Sequence, residues 1–187
     1  MKKRFVALML AVMCVLCGCS GRDDSIPTLP PTKVPKQIPG AVVPEGGKWV
    51  FADSNIIVDN RMSSVVSDGM VQTSGNFYAS DYSTWKSICS NTNREVVKEE
   101  KDSYDEDFFE EKMVACAIKS ASAGLEYQFE GAMYAPYNGQ MVLTIYVSYS
   151  NDNVRNSLTN YFVFVDVLKS EVGQIDDIRL ETFLRTK

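Results

Sequence analysis

An antiparallel β sheet or small sandwich carrying one or two short helices, a mainly β or α+β class, is the fold this sequence predicts. Three observations lead there. Apolar and polar residues alternate from Tyr127 to Gly131 and again from Leu143 to Tyr149, as they do on strands with one buried face. Asn138-Gly139 stands between those runs, and both residues tolerate the positive φ that a type I′ hairpin turn requires. Helical spacing, by contrast, is confined to one good stretch, Tyr82 to Ser90, where Trp85, Ile88 and Cys89 share a face behind a capping Asp81.

The chain opens with Lys2, Lys3 and Arg4, followed by 12 uncharged, mostly apolar residues from Phe5 to Leu16 and then Cys17-Gly18-Cys19. That run is short of the ~20 residues a spanning helix needs, and its flanks are those of a secretory signal. Small residues just ahead of a cysteine resemble the lipobox of bacterial lipoproteins. The resemblance implies that residues 1–18 are removed and that Cys19 becomes the acylated first residue, anchored in the bilayer on the extracytoplasmic face. Residues 19–45 then form the lipidated cysteine and a tether, because six of the chain's seven prolines fall between Pro27 and Pro44 with no apolar periodicity between them. Residues 46–187 are expected to form a single β-rich domain.

Within that domain Lys48–Phe51 and Asn55–Val58 read as short strands, and a polar link follows through Ser63, Ser64 and Ser67. Met70 to Ala79 reads as a strand broken at Ser74-Gly75, ahead of the helix capped by Asp81. From Glu95 to Lys112 the chain is strongly acidic, which predicts a solvated loop leading to a helical turn that docks Phe108 and Phe109. Met113–Lys119 is a mostly apolar strand, and the small residues Ser120 to Gly124 are expected to turn the chain. Tyr127, Phe129 and Gly131 then point inward, away from Glu126, Gln128 and Glu130. Past the hairpin, Tyr161 to Leu168 is apolar on both faces apart from Asp166, as a central strand covered on both sides would be. Asp177–Leu184 can close the sheet through Ile178, Leu180 and Phe183.

Composition excludes several functions. Loss of the three basic residues in the signal takes the formal charge from −5 to −8, so no basic surface is offered to nucleic acid. The 187 residues include no histidine, which removes the commonest general base and the commonest transition-metal ligand. Asp102, Asp105 and Asp107 lack the glycine and the terminal glutamate of a calcium loop. Ser83 and Lys86 have a Ser-x-x-Lys spacing without the supporting Lys-Thr-Gly element. No catalytic residue, metal site or cofactor is expected. Cys89 and Cys116 are the two thiols left to the exported chain; a disulfide between them and two buried free thiols both remain open.

From about Asp81 to residue 170 the order of features resembles the C-terminal domain of PrcB-like protease complex subunit lipoproteins. The carrying residues are Tyr82–Lys86, then Tyr104–Glu111 running into Met113–Ile118, the turn Ser120–Gly124, and Tyr161–Val167 with Lys169. The resemblance implies a non-catalytic lipoprotein that supports or stabilises a surface protease. Crowding of tyrosines in the β half points to a contact surface, and with the anchor and the absence of catalytic motifs an exported protein is the expected partner. Ser120, Ser122, Gly124, Tyr134, Tyr137 and Asn138 are the candidate contact residues, and changes such as Gly124→Asp are expected to leave the fold intact. A small-molecule or cell-wall-glycan binder on the same anchor is the alternative, with a histidine-independent hydrolase behind it.

Overall fold

The apolar run from Tyr161 to Val165 lies inside one of two stacked sheets. The computed structural model describes residues 34–60 and 75–185. The signal, Cys19, most of the proline-rich stretch and the start of the Met70–Ala79 strand lie outside the described residues.

The strands are β1 (Lys48–Val50), β2 (Ala52–Asp59), β3 (Phe77–Ala79), β4 (Lys112–Ser122), β5 (Glu126–Tyr137), β6 (Gln140–Ser150), β7 (Leu158–Leu168) and β8 (Asp177–Leu184). They form sheet A, in the order β1-β5-β6-β8, and sheet B, in the order β2-β7-β4-β3. All neighbours are antiparallel except β6 and β8. The expected β-rich α+β class is the one observed, as a sandwich with a helical layer.

Alternation along β7 builds two cores at once. Val163, Val165 and Val167 face sheet A and meet Leu143, Ile145 and Val147 of β6 together with Ala132 and Tyr134 of β5. Phe162 and Phe164 point the other way and pack with Trp85, Val96, Val97, Tyr104 and Phe109. Burying residues on both faces is why this strand reads as a continuous apolar run.

The helical layer consists of α1 (Tyr82–Asn91), α2 (Glu95–Glu99), a 3₁₀ turn (Glu100–Ser103) and α3 (Phe108–Glu111). Asp81 caps α1 as its position suggests: its carboxylate accepts from Thr84 N at 2.8 Å and from the hydroxyls of Ser83 at 2.6 Å and Thr84 at 2.7 Å. Those bonds hold its pKa down at about 2. The acidic stretch is more ordered than a solvated loop, because Val96 and Val97 are buried and pin α2 to the layer. Phe108 and Phe109 dock as expected, with Tyr104 4.8 Å from Phe108 between ring centroids.

Two details of the sheets depart from simple alternation. A bulge between Phe129 and Gly131 shifts the phase of β5, so Tyr127 and Phe129 face the core and then Ala132 and Tyr134 do, while Gly131 does not. Ser120 and Ser122 belong to β4 and pair with Asn160 and Leu158, which shortens the expected turn to the residues around Ala123 and Gly124. Asn138 and Gly139, at φ of 50° and 81°, make the two-residue turn that joins β5 to β6.

Candidate functional site

The candidate contact residues divide between two ends of the sandwich. Ser122 and Gly124 precede β5, and Asn138 follows it. Across the 12 residues of that strand, at ~3.4 Å each, the two ends stand about 37 Å apart. No single contact patch unites them.

At the Gly124 end the chain is clamped from three sides. Ala123 N donates to Ser157 O at 2.7 Å, and Arg155 N donates to Ala123 O at 2.8 Å. The buried Tyr161 donates its hydroxyl proton to Ser122 O at 3.0 Å and accepts from Leu125 N at 3.1 Å. Ser120 Oγ donates to Asn160 Oδ1 at 2.5 Å. Gly124 has φ of +83°, and a Cβ there would lie 2.0 Å from Asn153 O. The expectation that this position varies freely is therefore wrong, because the residue-153 carbonyl occupies the space a side chain would take. An open cleft of about 410 Å³ lies beside the turn, lined by Val58, Asn60, Leu125, Glu126, Arg155 and Tyr161 among others.

At the Asn138 end the two tyrosines differ. Tyr134 is buried, with its hydroxyl donating to Gln174 O at 2.7 Å, and so is a core residue and not a contact residue. Tyr137 is 50 % exposed. The Arg179 guanidinium sits 3.8 Å from its ring centroid and donates from Nε to Asp177 Oδ2 at 3.2 Å. The loop after β7 is tied to the same end, since Asp176 N donates to Met141 O at 2.8 Å and Met141 N to Asp176 Oδ2 at 2.8 Å. Tyr137 is thereby presented on a braced hairpin. Arg179 was beyond sequence reasoning, because only the parallel pairing of β8 with β6 brings it across to that ring.

A third polar group lies on the outer face of sheet A. Ser148 Oγ donates to Glu130 Oε1 at 2.6 Å, and Lys36 Nζ reaches Glu130 Oε2 at 2.5 Å. Burial raises the pKa of Glu130, but the hydrogen bonds from Lys36 and Ser148, with the charges of Lys36 and Arg185, outweigh it and hold the carboxyl below its usual range. A serine hydrogen-bonded to a general base is an arrangement that nucleophilic enzymes use, yet a carboxylate held low is a weak base near neutrality. Ser148 is also only 1 % exposed. What the group does is fasten the chain around Lys36 onto sheet A.

Cys89 and Cys116 are free and buried, so the disulfide left open by the sequence is not formed. Cys89 Sγ donates to Val97 O at 3.4 Å and burial pushes its thiol up to about 11; Cys116 is raised further by the same cause. Neither is a nucleophile near neutral pH. On the outer face of sheet B, Asp166 lies directly opposite Asp53 and accepts a hydrogen bond from Tyr104. Burial there raises its pKa, partly offset by that bond and by Lys112. Among the described residues no group of three or more acidic or cysteine side chains could hold a metal ion. Compared with protein-family models, curated proteins and solved structures, the chain matches none.

Proposed function

We propose that this chain is an exported lipoprotein, held at the extracytoplasmic face of a membrane by acylated Cys19, and that its sandwich is a non-catalytic module binding an exported protein through the Asn138 end. The observation that carries the reading is the half-exposed Tyr137 ring under the Arg179 guanidinium. Tyr and Arg are enriched among interface anchors, because each combines large area with a polar tip and loses little conformational freedom when already held in place. The braced hairpin supplies that holding. An exported protease is the partner that the PrcB-like resemblance of residues 81–170 implies.

The test places a photo-crosslinking side chain at position 138 of the full, lipidated protein in detergent extract. One predominant protein adduct is expected, and Tyr137→Ala with Arg179→Ala should reduce it at least about ten-fold, the loss typical of interface anchors, without changing the melting temperature. Unchanged adduct yield in that double variant refutes the surface. Turnover of a substrate by purified protein that forms no adduct refutes the binding module.

A further inference from the structure

The two ends of the sandwich differ in what they expose. Around Gly124, Val58, Val154, Leu158 and Leu184 each stay 45–48 % exposed, and Phe183 beside them 39 %. These residues come from different elements: the end of β2, the β6–β7 loop, the start of β7 and the end of β8. Register brings them to one end, since Val58 pairs with Tyr161, Leu158 with Ser122, and Leu184 with Tyr149. Arg155 and Arg185 stand among them, with the exposed acids Glu126 and Asp152 at the same end. At the opposite end the acidic residues Glu110 and Glu111 lead straight into β4, and Asp176 and Asp177 open β8.

The path of the chain supplies the second observation. Lys36 Nζ is held by Glu130 and reaches Phe129 O at 3.4 Å, so the N-terminal side of the described chain lies on the half of sheet A nearer Gly124. Pro136 lies 3.5 Å from where a Cβ of Gly46 would be, so the segment then runs along the sheet toward the hairpin. Only 14 residues, 20–33, separate Cys19 from residue 34, a contour of at most about 50 Å. The chain therefore leaves the described domain on the half nearer the Gly124 end.

We infer that the Gly124 end docks on the lipid surface, with Val154, Leu158, Phe183 and Leu184 entering the headgroup boundary and Arg155 and Arg185 meeting anionic headgroups. This inference rests on the anchored reading above and goes beyond it by orienting the domain. Scattered apolar side chains on loops bind such boundaries through buried area and basic flanks, and an existing acyl anchor makes even weak docking persistent by raising the local concentration of surface. At the Asn138 end Glu110, Glu111, Asp176 and Asp177 oppose approach to the same anionic surface, against Lys48, Lys112 and Arg179.

The experiment uses the full lipidated protein with Val154→Cys in one sample and Asn138→Cys in another. Cys89 and Cys116 are buried, so a thiol-reactive fluorophore labels the introduced cysteine. Each sample is reconstituted into phosphatidylcholine and phosphatidylglycerol vesicles whose acyl chains carry bromine, a contact quencher. Quenching about two-fold or more at position 154, with none at 138, is expected for side chains that enter the boundary to a depth of ~5–10 Å. Flotation with the vesicles but equal signals at both positions overturns the docking and leaves the anchor standing. Failure to float with the vesicles overturns the anchor, and the docking with it.

Discussion

Gly124 and Gly139 share a backbone conformation and differ in their surroundings, which makes them a matched pair for testing how the Gly124 end is held. Their φ values are +83° and +81°, so placing alanine at either adds the left-handed cost of about 1 kcal/mol. Nothing lies within 4 Å of a Cβ at Gly139, whereas at Gly124 Asn153 O lies at 2.0 Å. That carbonyl must retreat by more than about 1 Å to reach ordinary contact. The retreat pulls on the bonds Ala123–Ser157 and Arg155–Ala123, each contributing about 1 kcal/mol net. Gly124→Ala should therefore cost about 3 kcal/mol and Gly139→Ala about 1. At roughly 3 °C per kcal/mol for a domain of this size, thermal melts followed by circular dichroism should fall by about 10 °C and about 3 °C. Equal shifts for the two variants would show that residues 153–157 do not clamp the turn.

Two further expectations concern links between layers. Asn76 bridges the sheets, donating to Ile178 O at 2.8 Å and accepting from Ile118 N at 3.0 Å, so Asn76→Ala should cost about 2–3 kcal/mol in denaturant unfolding by leaving both backbone groups unpaired. A loss under about 0.5 kcal/mol would mean that water replaces the amide at no cost. Asp166 has a raised pKa in the folded state, so its ionisation opposes folding: stability should fall as pH rises through the interval from 3.8 to its folded value. Asp166→Asn keeps an acceptor for Tyr104 and removes the buried charge, and its melting temperature at neutral pH should match or exceed that of the wild type. A marked drop at neutral pH would assign a stabilising role to the charge with Lys112.

Local chemistry was legible in the sequence and long-range chemistry was not. Asp81 announces its helix and Asn138-Gly139 its hairpin because cap and turn are decided within four residues. The two-faced apolar run of β7 reveals a central strand for a similar reason, since both faces are written in one segment. The bulge at Glu130 carries no such mark, and without it the phase of β5 comes out reversed and Gly131 is placed in the core. Val96 and Val97 were masked by the acids around them, though an adjacent apolar pair in a charged run is the signal that an amphipathic turn leaves. The candidate site suffered most from topology. Residues on either side of one strand look close in sequence, yet β5 carries them to opposite ends, and neither Lys36 with Glu130 nor Arg179 with Tyr137 could be paired before the register was known.

The central claim is that the domain works from a membrane, held there through Cys19. Intact-mass analysis of the protein isolated from the membrane fraction, beside a Cys19→Ala variant, tests it most directly. The account predicts a wild-type chain that starts at Cys19 and carries the added mass of acyl chains, and a variant that leaves the membrane fraction or keeps residues 1–18. An unmodified wild-type chain, or a processed Cys19→Ala chain that still sediments with membranes, would contradict it.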